Sequence, residues 1–209
     1  MPKFLFLDTE ATGTDTVQNG IIQLAGLIYT CDLKAGIEPV TDFNIRANAY
    51  GAGYIEAEWD EKQKDGTVIH KRASDVHGKL PDEIMSYPEY SKAYKELTET
   101  FSRYVDKFDK SDKFTTIGYN IQFDVDMVRA MAAKCGDKYI NSYIGHQTID
   151  VMDVARLADA MGLLPVKPEN HKLETICNIM EVDISAHDAL SDIVATRDLL
   201  FKLVALFKN

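Results

Sequence analysis

Four acidic residues in three separated segments carry the chemical content of this chain: Asp8 and Glu10 near the start, Asp124 in the middle, and Asp192 near the end, five residues after His187. The first segment, KFLFLD over Lys3 to Asp8, is an apolar run of strand length that ends in charge, followed by the turn-prone Thr12, Gly13, Thr14 and Asp15. In an extended chain residues two apart point to the same side, so Asp8 and Glu10 present both carboxylates to one point. Two such carboxylates repel unless a hard cation such as magnesium or manganese lies between them. The structural alternative is a polar strand end opening a loop.

The second segment, TTIGYNIQFDVD, reads as a short buried strand over Thr115 to Tyr119, a turn or cap at Asn120, and a helix whose first turn holds Asp124. An acid in that position also serves the helix dipole and the free backbone N–H groups, and Asp126 is an equally charged rival. The third segment, SAHDALSDIVATRDLL, places apolar residues from Ala189 to Leu203 on one side of a helix, with His187 at or before its start. Asp188 and Asp192 lie four apart on one helix face, so spacing does not choose between them. Nor does it raise His187 above a capping or packing histidine.

Taken together, LDTEATG, GYNIQFD and HDALSD resemble the three motifs of the DnaQ-like 3′-to-5′ exonucleases in their histidine-containing, DEDDh form. The resemblance extends to IIQLAGL over Ile21 to Leu27, ASDVHG over Ala73 to Gly78, IDVMDVARL from Ile149, and HKLETICNI from His171. Ala11 departs from the family's usual Thr, and Ala47 to Lys71 aligns with nothing in it. The resemblance implies a ribonuclease H-like α/β fold, a mixed sheet flanked by helices, as a single domain over residues 1–209 with an insertion at about 47–71. It implies a metal-dependent exonuclease releasing nucleoside 5′-monophosphates from a free 3′ end of DNA, for proofreading or end trimming. Two Mg2+ or Mn2+ ions would be held by Asp8, Glu10, Asp124 and Asp192. Asp8 would bridge them, Asp124 would act through water, and His187 would be the general base. Ala11, Thr12, Gly13, Asn120 and Phe123 are the implied substrate contacts, and a DNA polymerase or another replication or repair protein is an admissible partner. An exoribonuclease or oligoribonuclease on the same scaffold is the competing activity, and a non-catalytic nucleic-acid-binding subunit the competing class. Retention of mutually repelling acids argues against the latter.

The elements that must position these residues follow from the pattern. Strands are expected near Lys3 to Asp8, Gly20 to Cys31, Gly36 to Arg46, Thr115 to Tyr119 and Gln147 to Asp150. Helices are expected near Ser91 to Phe108, Val125 to Cys135, Val151 to Met161, His171 to Met180 and Ala189 to Phe207. Three hairpin-like strands followed by alternating helices and strands make a mixed sheet.

With 209 residues, 45% of them hydrophobic, the chain can bury a full core. Three scattered cysteines, Cys31, Cys135 and Cys177, lack the spacing of a zinc site or disulfide framework and read as reduced thiols. FLFL is too short for a signal peptide or membrane span, so a soluble cytoplasmic protein of a bacterium, or of a phage within its host, is expected, with no membrane partner. A net charge of −10 is unfavourable for long-range attraction to phosphate. Lys62, Lys64, His70, Lys71, Arg72 and Lys79, with Tyr54 and Trp59 nearby, form the one basic stretch: either a solvated hairpin or a strand-guiding flap.

Overall fold

The computed structural model describes residues 1–32, 36–185 and 188–208, so His187 lies outside the described residues. Three apolar, β-branched-rich segments form an antiparallel meander: β1 (Lys3–Ala11), β2 (Ile21–Asp32) and β3 (Gly36–Arg46). A separate ladder, β4 (Glu58–Lys62) with β5 (Val68–Arg72), precedes the short helices α1 (Ala73–His77) and α2 (Pro81–Met85) and the longer α3 (Tyr90–Ser102). The chain returns through β6 (Phe114–Gly118), α4 (Ile121–Lys134), β7 (Ile144–Asp150), α5 (Val151–Ala160), α6 (Leu173–Ile179) and α7 (Ala189–Leu206). β6 is parallel to β1 and β7 parallel to β6, giving the mixed order β3-β2-β1-β6-β7. Among the described residues no helix is long and apolar enough to cross a membrane.

Side-chain alternation along β1 sorts the core into two layers. Leu5 and Leu7 pack with Leu97 and Phe101 of α3 and Val125 and Met131 of α4. Phe6 points the other way, into Val151 and Ala155 of α5, Cys177 of α6 and Ile193 and Leu199 of α7. Each of the buried Leu, Val, Ile, Phe and Met side chains among these contributes roughly 1.5 to 3 kcal/mol through removal from water, which is what holds helices on both sides of one sheet. The expected mixed sheet flanked by helices is therefore present.

Boundaries differ where polar side chains compete for the backbone. The helix expected to reach Phe108 stops at Ser102, because Asp106 and Asp109 accept the N–H groups of Phe108 and Ser111 in local turns. α4 begins at Ile121 and not Val125, because Asn120 adopts a left-handed φ of 60° and Asp150 accepts its N–H, turning the chain directly from strand into helix. α6 is shorter than the expected His171 to Met180, since Lys172 is still extended. β7 starts three residues earlier than expected, at Ile144. The unaligned stretch holds the β4-β5 hairpin.

Candidate metal centre and active site

The alternation that buries Phe6 toward α7 also sends Asp8 and Glu10 to that side of the sheet, while Thr9 turns toward α4. α7 brings Asp192 in its first turn to meet them. Carboxylate oxygens of Asp8, Glu10 and Asp192 lie within 4.8 Å of one another, all on half-buried residues. On the other side of β1, Thr9 donates both its backbone N–H (2.9 Å) and its hydroxyl (2.7 Å) to one oxygen of the buried Asp124, fixing that carboxylate beside Asp8. Behind this turn Gly118 leaves no room for a side chain, since a Cβ would lie 2.7 Å from the Leu7 carbonyl.

The electrostatics are those of a crowded acidic site. Burial, then Asp124, Glu10 and Asp192, push the Asp8 carboxyl well above its ordinary range. Burial raises Glu10 to about 7 despite the opposing Lys79 ammonium, with Asp192 and Asp188 adding repulsion. Burial likewise raises Asp124, against the two Thr9 hydrogen bonds. Carboxylates that give up a proton reluctantly and share one small space form a hard-oxygen donor set. Such a set fits a divalent cation that keeps water or phosphate oxygens in its remaining positions.

Asp188 is set apart from this group. It caps α7 by accepting the Ser191 N–H at 3.3 Å, and Gln23 Nε2 donates to it at 2.9 Å. Partial burial works against ionisation there, but the Gln23, Ser191 and Lys79 contacts prevail and hold its carboxyl below the ordinary range. Asp126 is a partly exposed partner of Arg129 at 3.1 Å.

A cavity of about 480 Å³ opens beside Glu10, lined by Ala11, Gly13, Trp59, His77 and Phe123 among others. Of the expected contacts, Ala11, Gly13 and Phe123 line it. A side chain at Gly13 would collide with Ala57 and Asn19, each 2.4 Å from an added Cβ. Thr12 does not reach it: its fully buried hydroxyl accepts the Gly20 N–H at 3.1 Å, and its N–H and carbonyl bond to Gly20 and Ala57. The Thr12 side chain points into the protein, where the Ala11 and Gly13 positions on either side of it face the cavity. Asn120 is exposed and is not among the lining residues.

The basic stretch forms a largely exposed hairpin, the first of the two alternatives the sequence left open. Arg72 pairs with Glu58 at 3.1 Å, His70 with Asp60 at 3.0 Å and Lys71 with Glu61 at 3.5 Å, while Lys79 is buried and Tyr54 belongs to the core. Acids on the facing strand thus pair with three of the six residues of the cluster. Sequence reasoning gave no role to Gln23, and it placed Lys79 in the basic stretch and His77 in the ASDVHG segment and not beside the acids; the fold sets Gln23 against Asp188, Lys79 near Glu10, and His77 with Glu10 on the cavity wall. The one signal for Gln23 was a lone amide inside the apolar IIQLAGL.

Comparison with known proteins bears on the fold and the family. DNA polymerase III PolC-type of Bacillus cereus is 24% identical over 202 residues, 96% of this chain but 11% of that protein. E. coli Exonuclease I, crystallised in complex with a dT13 oligonucleotide, superposes with a TM-score of 0.70 at 20% identity over 100% of this chain and 43% of its own. Exonuclease I of Methylocaldum szegediense gives 0.70 at 20% over 98% of this chain and 40% of its own. This chain thus spans less than half of either structure. The RNase_T family model, described as Exonuclease, matches residues 55–200, taking in the second and third motifs and most of the stretch left unaligned above. The first motif precedes that match, and the fold brings its two acids against the third. The chain belongs to the RNase_T exonuclease family.

Proposed function

We propose that the protein is a metal-dependent 3′-to-5′ exonuclease that hydrolyses the terminal phosphodiester of a DNA strand and releases a nucleoside 5′-monophosphate. The observation that carries this reading is the convergence of Asp8, Glu10 and Asp192, with Asp124 alongside, at one edge of a cavity of nucleotide size in a chain of the exonuclease family. Asp8, Glu10 and Asp192, with Asp124 alongside, would hold magnesium or manganese, two ions in this reading. When bound, such ions supply Lewis acidity at the phosphorus and at the departing 3′ oxygen.

The chain's own residues do the rest. In this reading His187 takes the proton from the attacking water as the new P–O bond forms and the bond to the 3′ oxygen breaks, a role suited to an imidazole, whose unperturbed pKa is ~6.5. Thr9 keeps Asp124 in one orientation. Asp188, tied to Gln23, fixes the start of the helix that presents Asp192. The turn at Ala11 and Gly13, with Phe123, would receive the terminal nucleotide.

DNA is favoured over RNA by the likeness to a segment of a DNA polymerase III PolC-type protein and to a fold solved with DNA oligonucleotides. The same likeness supports a place beside a DNA polymerase in the cytoplasm. The test is digestion of single-stranded DNA, duplex DNA and RNA, each labelled at the 5′ end, with magnesium or manganese and with EDTA. A ladder shortening from the 3′ end of DNA that EDTA stops is expected. Cleavage of a circular strand, or undiminished activity in EDTA, would overturn the reading.

A further inference from the structure

Lys79 stands outside the β4-β5 hairpin that carries the rest of the basic stretch, and only 8% of its surface is exposed. It follows the end of α1, where Gly78 takes a left-handed φ of 67° and turns the chain. Both ends of the residue are tied to His77. Lys79 N–H donates to His77 Nδ1 at 3.1 Å, and Lys79 Nζ donates to the His77 carbonyl at 3.3 Å. His77 is itself buried and shares the wall of the cavity with Glu10. The fold, and not solvent, therefore places this ammonium beside the acidic site.

A buried ammonium needs anions, and one long bond to a neutral carbonyl does not replace its hydration. The anions that meet it are Glu10 on β1 and Asp188 at the start of α7, whose ionised forms it favours. No lysine or arginine lines the cavity among the described residues, and the hairpin's Arg72, His70 and Lys71 are engaged with Glu58, Asp60 and Glu61. One fixed positive charge thus stands against a group of acids that repel one another. The same charge repels cations, so a divalent ion held by Asp8, Glu10 and Asp192 must enter against it.

We propose that Lys79 is the resident counter-ion of the acid cluster, stabilising the carboxylates while no metal is bound and opposing a divalent ion as it enters. The cluster is then more stable empty, and binds the ion less tightly, than its acids alone would dictate. Lys79 acts in this scheme through the acids and is a positioning residue. The proposal rests on the reading of those acids as a cation site.

The test needs no turnover. The full chain is titrated with magnesium by calorimetry at about pH 8.5, well above the ordinary carboxylate range, so that protons compete little. Melting temperatures are measured in EDTA and in saturating magnesium, for wild type, Lys79→Met and Lys79→Arg. Lys79→Met should bind magnesium roughly fivefold more tightly or better, because a repelling charge has gone. In EDTA the same variant should melt roughly 5 °C lower or more, because the carboxylates have lost their counter-charge. Magnesium should therefore raise its melting temperature by more than it raises that of wild type. Lys79→Arg keeps the charge and should stay within about twofold of wild type in affinity. A side chain that only packed would give the other pattern, in which Lys79→Met lowers stability and magnesium affinity together. Magnesium binding by Lys79→Met that is unchanged or weaker, a melting temperature in EDTA that is unchanged or higher, or a variant that magnesium fails to fold would overturn the proposal. A wild type that binds no magnesium would sink the cation-site reading, and this proposal with it. Wild-type binding that is indifferent to Lys79 would sink this proposal alone.

Discussion

Asp188 and Asp192 sit at the same end of α7, with Asp192 N–H donating to the Asp188 carbonyl at 2.9 Å, yet they do different work. Asp188 spends its carboxylate on a cap and on Gln23, whereas Asp192 faces Asp8 and Glu10. Asp192→Asn should therefore lower turnover on the order of 10² to 10³-fold, since it removes a charge from the proposed cation site. Asp188→Asn keeps a capping oxygen, and Asp126→Asn touches only an exposed ion pair. Both should stay within about fivefold of wild type in single-turnover assays. Comparable losses at Asp188 and Asp192 would show that the wrong acid has been placed in the site. At His187, replacement by Ala should slow cleavage by ~10² to 10⁴-fold while metal binding survives, and should flatten a wild-type rate that rises with pH as the imidazole loses its proton. Identical pH curves for the two proteins would remove His187 from the mechanism. The pairing of Asp8 with Glu10 was legible from the sequence, because a two-residue spacing in a strand fixes their common side. Spacing alone did not choose Asp192 over Asp188, because four residues along a helix keep both on one face; only the motif resemblance named Asp192.

At the scale of elements, the connection between the first strand and the hairpin is the tightest joint in the site. Gly13 has no space for a methyl group, and its neighbour Thr12 bonds to both Gly20 and Ala57. Gly13→Ala should cost about 1 to 3 kcal/mol in urea unfolding, the usual range for overpacking, and should weaken activity by displacing the hairpin wall. A variant as stable and active as wild type would mean that this joint yields more easily than the contacts imply. The sequence showed which segments are strands and helices wherever apolar periodicity ran for several turns, as in β1, β2 and α7. It did not show the end of α3, the start of α4 or the short helices α1 and α2. There the outcome was decided by Asp106, Asp109, Asp150 and Pro81, whose local bonds and fixed geometry override periodicity over a turn or less.

For the whole molecule, the acidic site links stability, pH and cation binding. Glu10 rises from 4.5 to about 7 on folding, so the folded protein holds a proton that the unfolded chain has released between those values. A raised carboxyl contributes stability below its ordinary value and loses it as pH climbs toward the folded one. In EDTA the melting temperature should fall by roughly 5 °C between pH 5 and pH 8. Magnesium or manganese should restore it most above pH 7, where the carboxylates are free to bind. The depressed carboxyls of exposed Asp15, Asp65 and Asp109 act in the opposite sense, but only in more acidic solution. A melting temperature that rises through this window in EDTA, or ignores the cation, would contradict the clustered acids. The net charge of −10 and the acid-paired hairpin lead to one more expectation. With about two phosphate contacts or fewer, KM on single-stranded DNA should change less than about tenfold between 50 and 200 mM salt. A steeper dependence would show that further basic groups contact the phosphates.

By itself the sequence determined the identity of the acids, the alternation that orients Asp8 and Glu10, and the order of strands and helices that makes a mixed sheet. Each is set by neighbours within one element, where a period of two or of 3.6 residues is enough. Only the tertiary structure showed that Asp192 meets the acids of the first strand while Asp188 turns to Gln23, that Thr12 faces inward, and that half of the basic stretch is paired with acids on the facing strand. It also decided that Trp59 closes the cavity beside Glu10. Those outcomes depend on pairings across tens or hundreds of residues, and the free energy of burying and neutralising charge is settled where the segments meet.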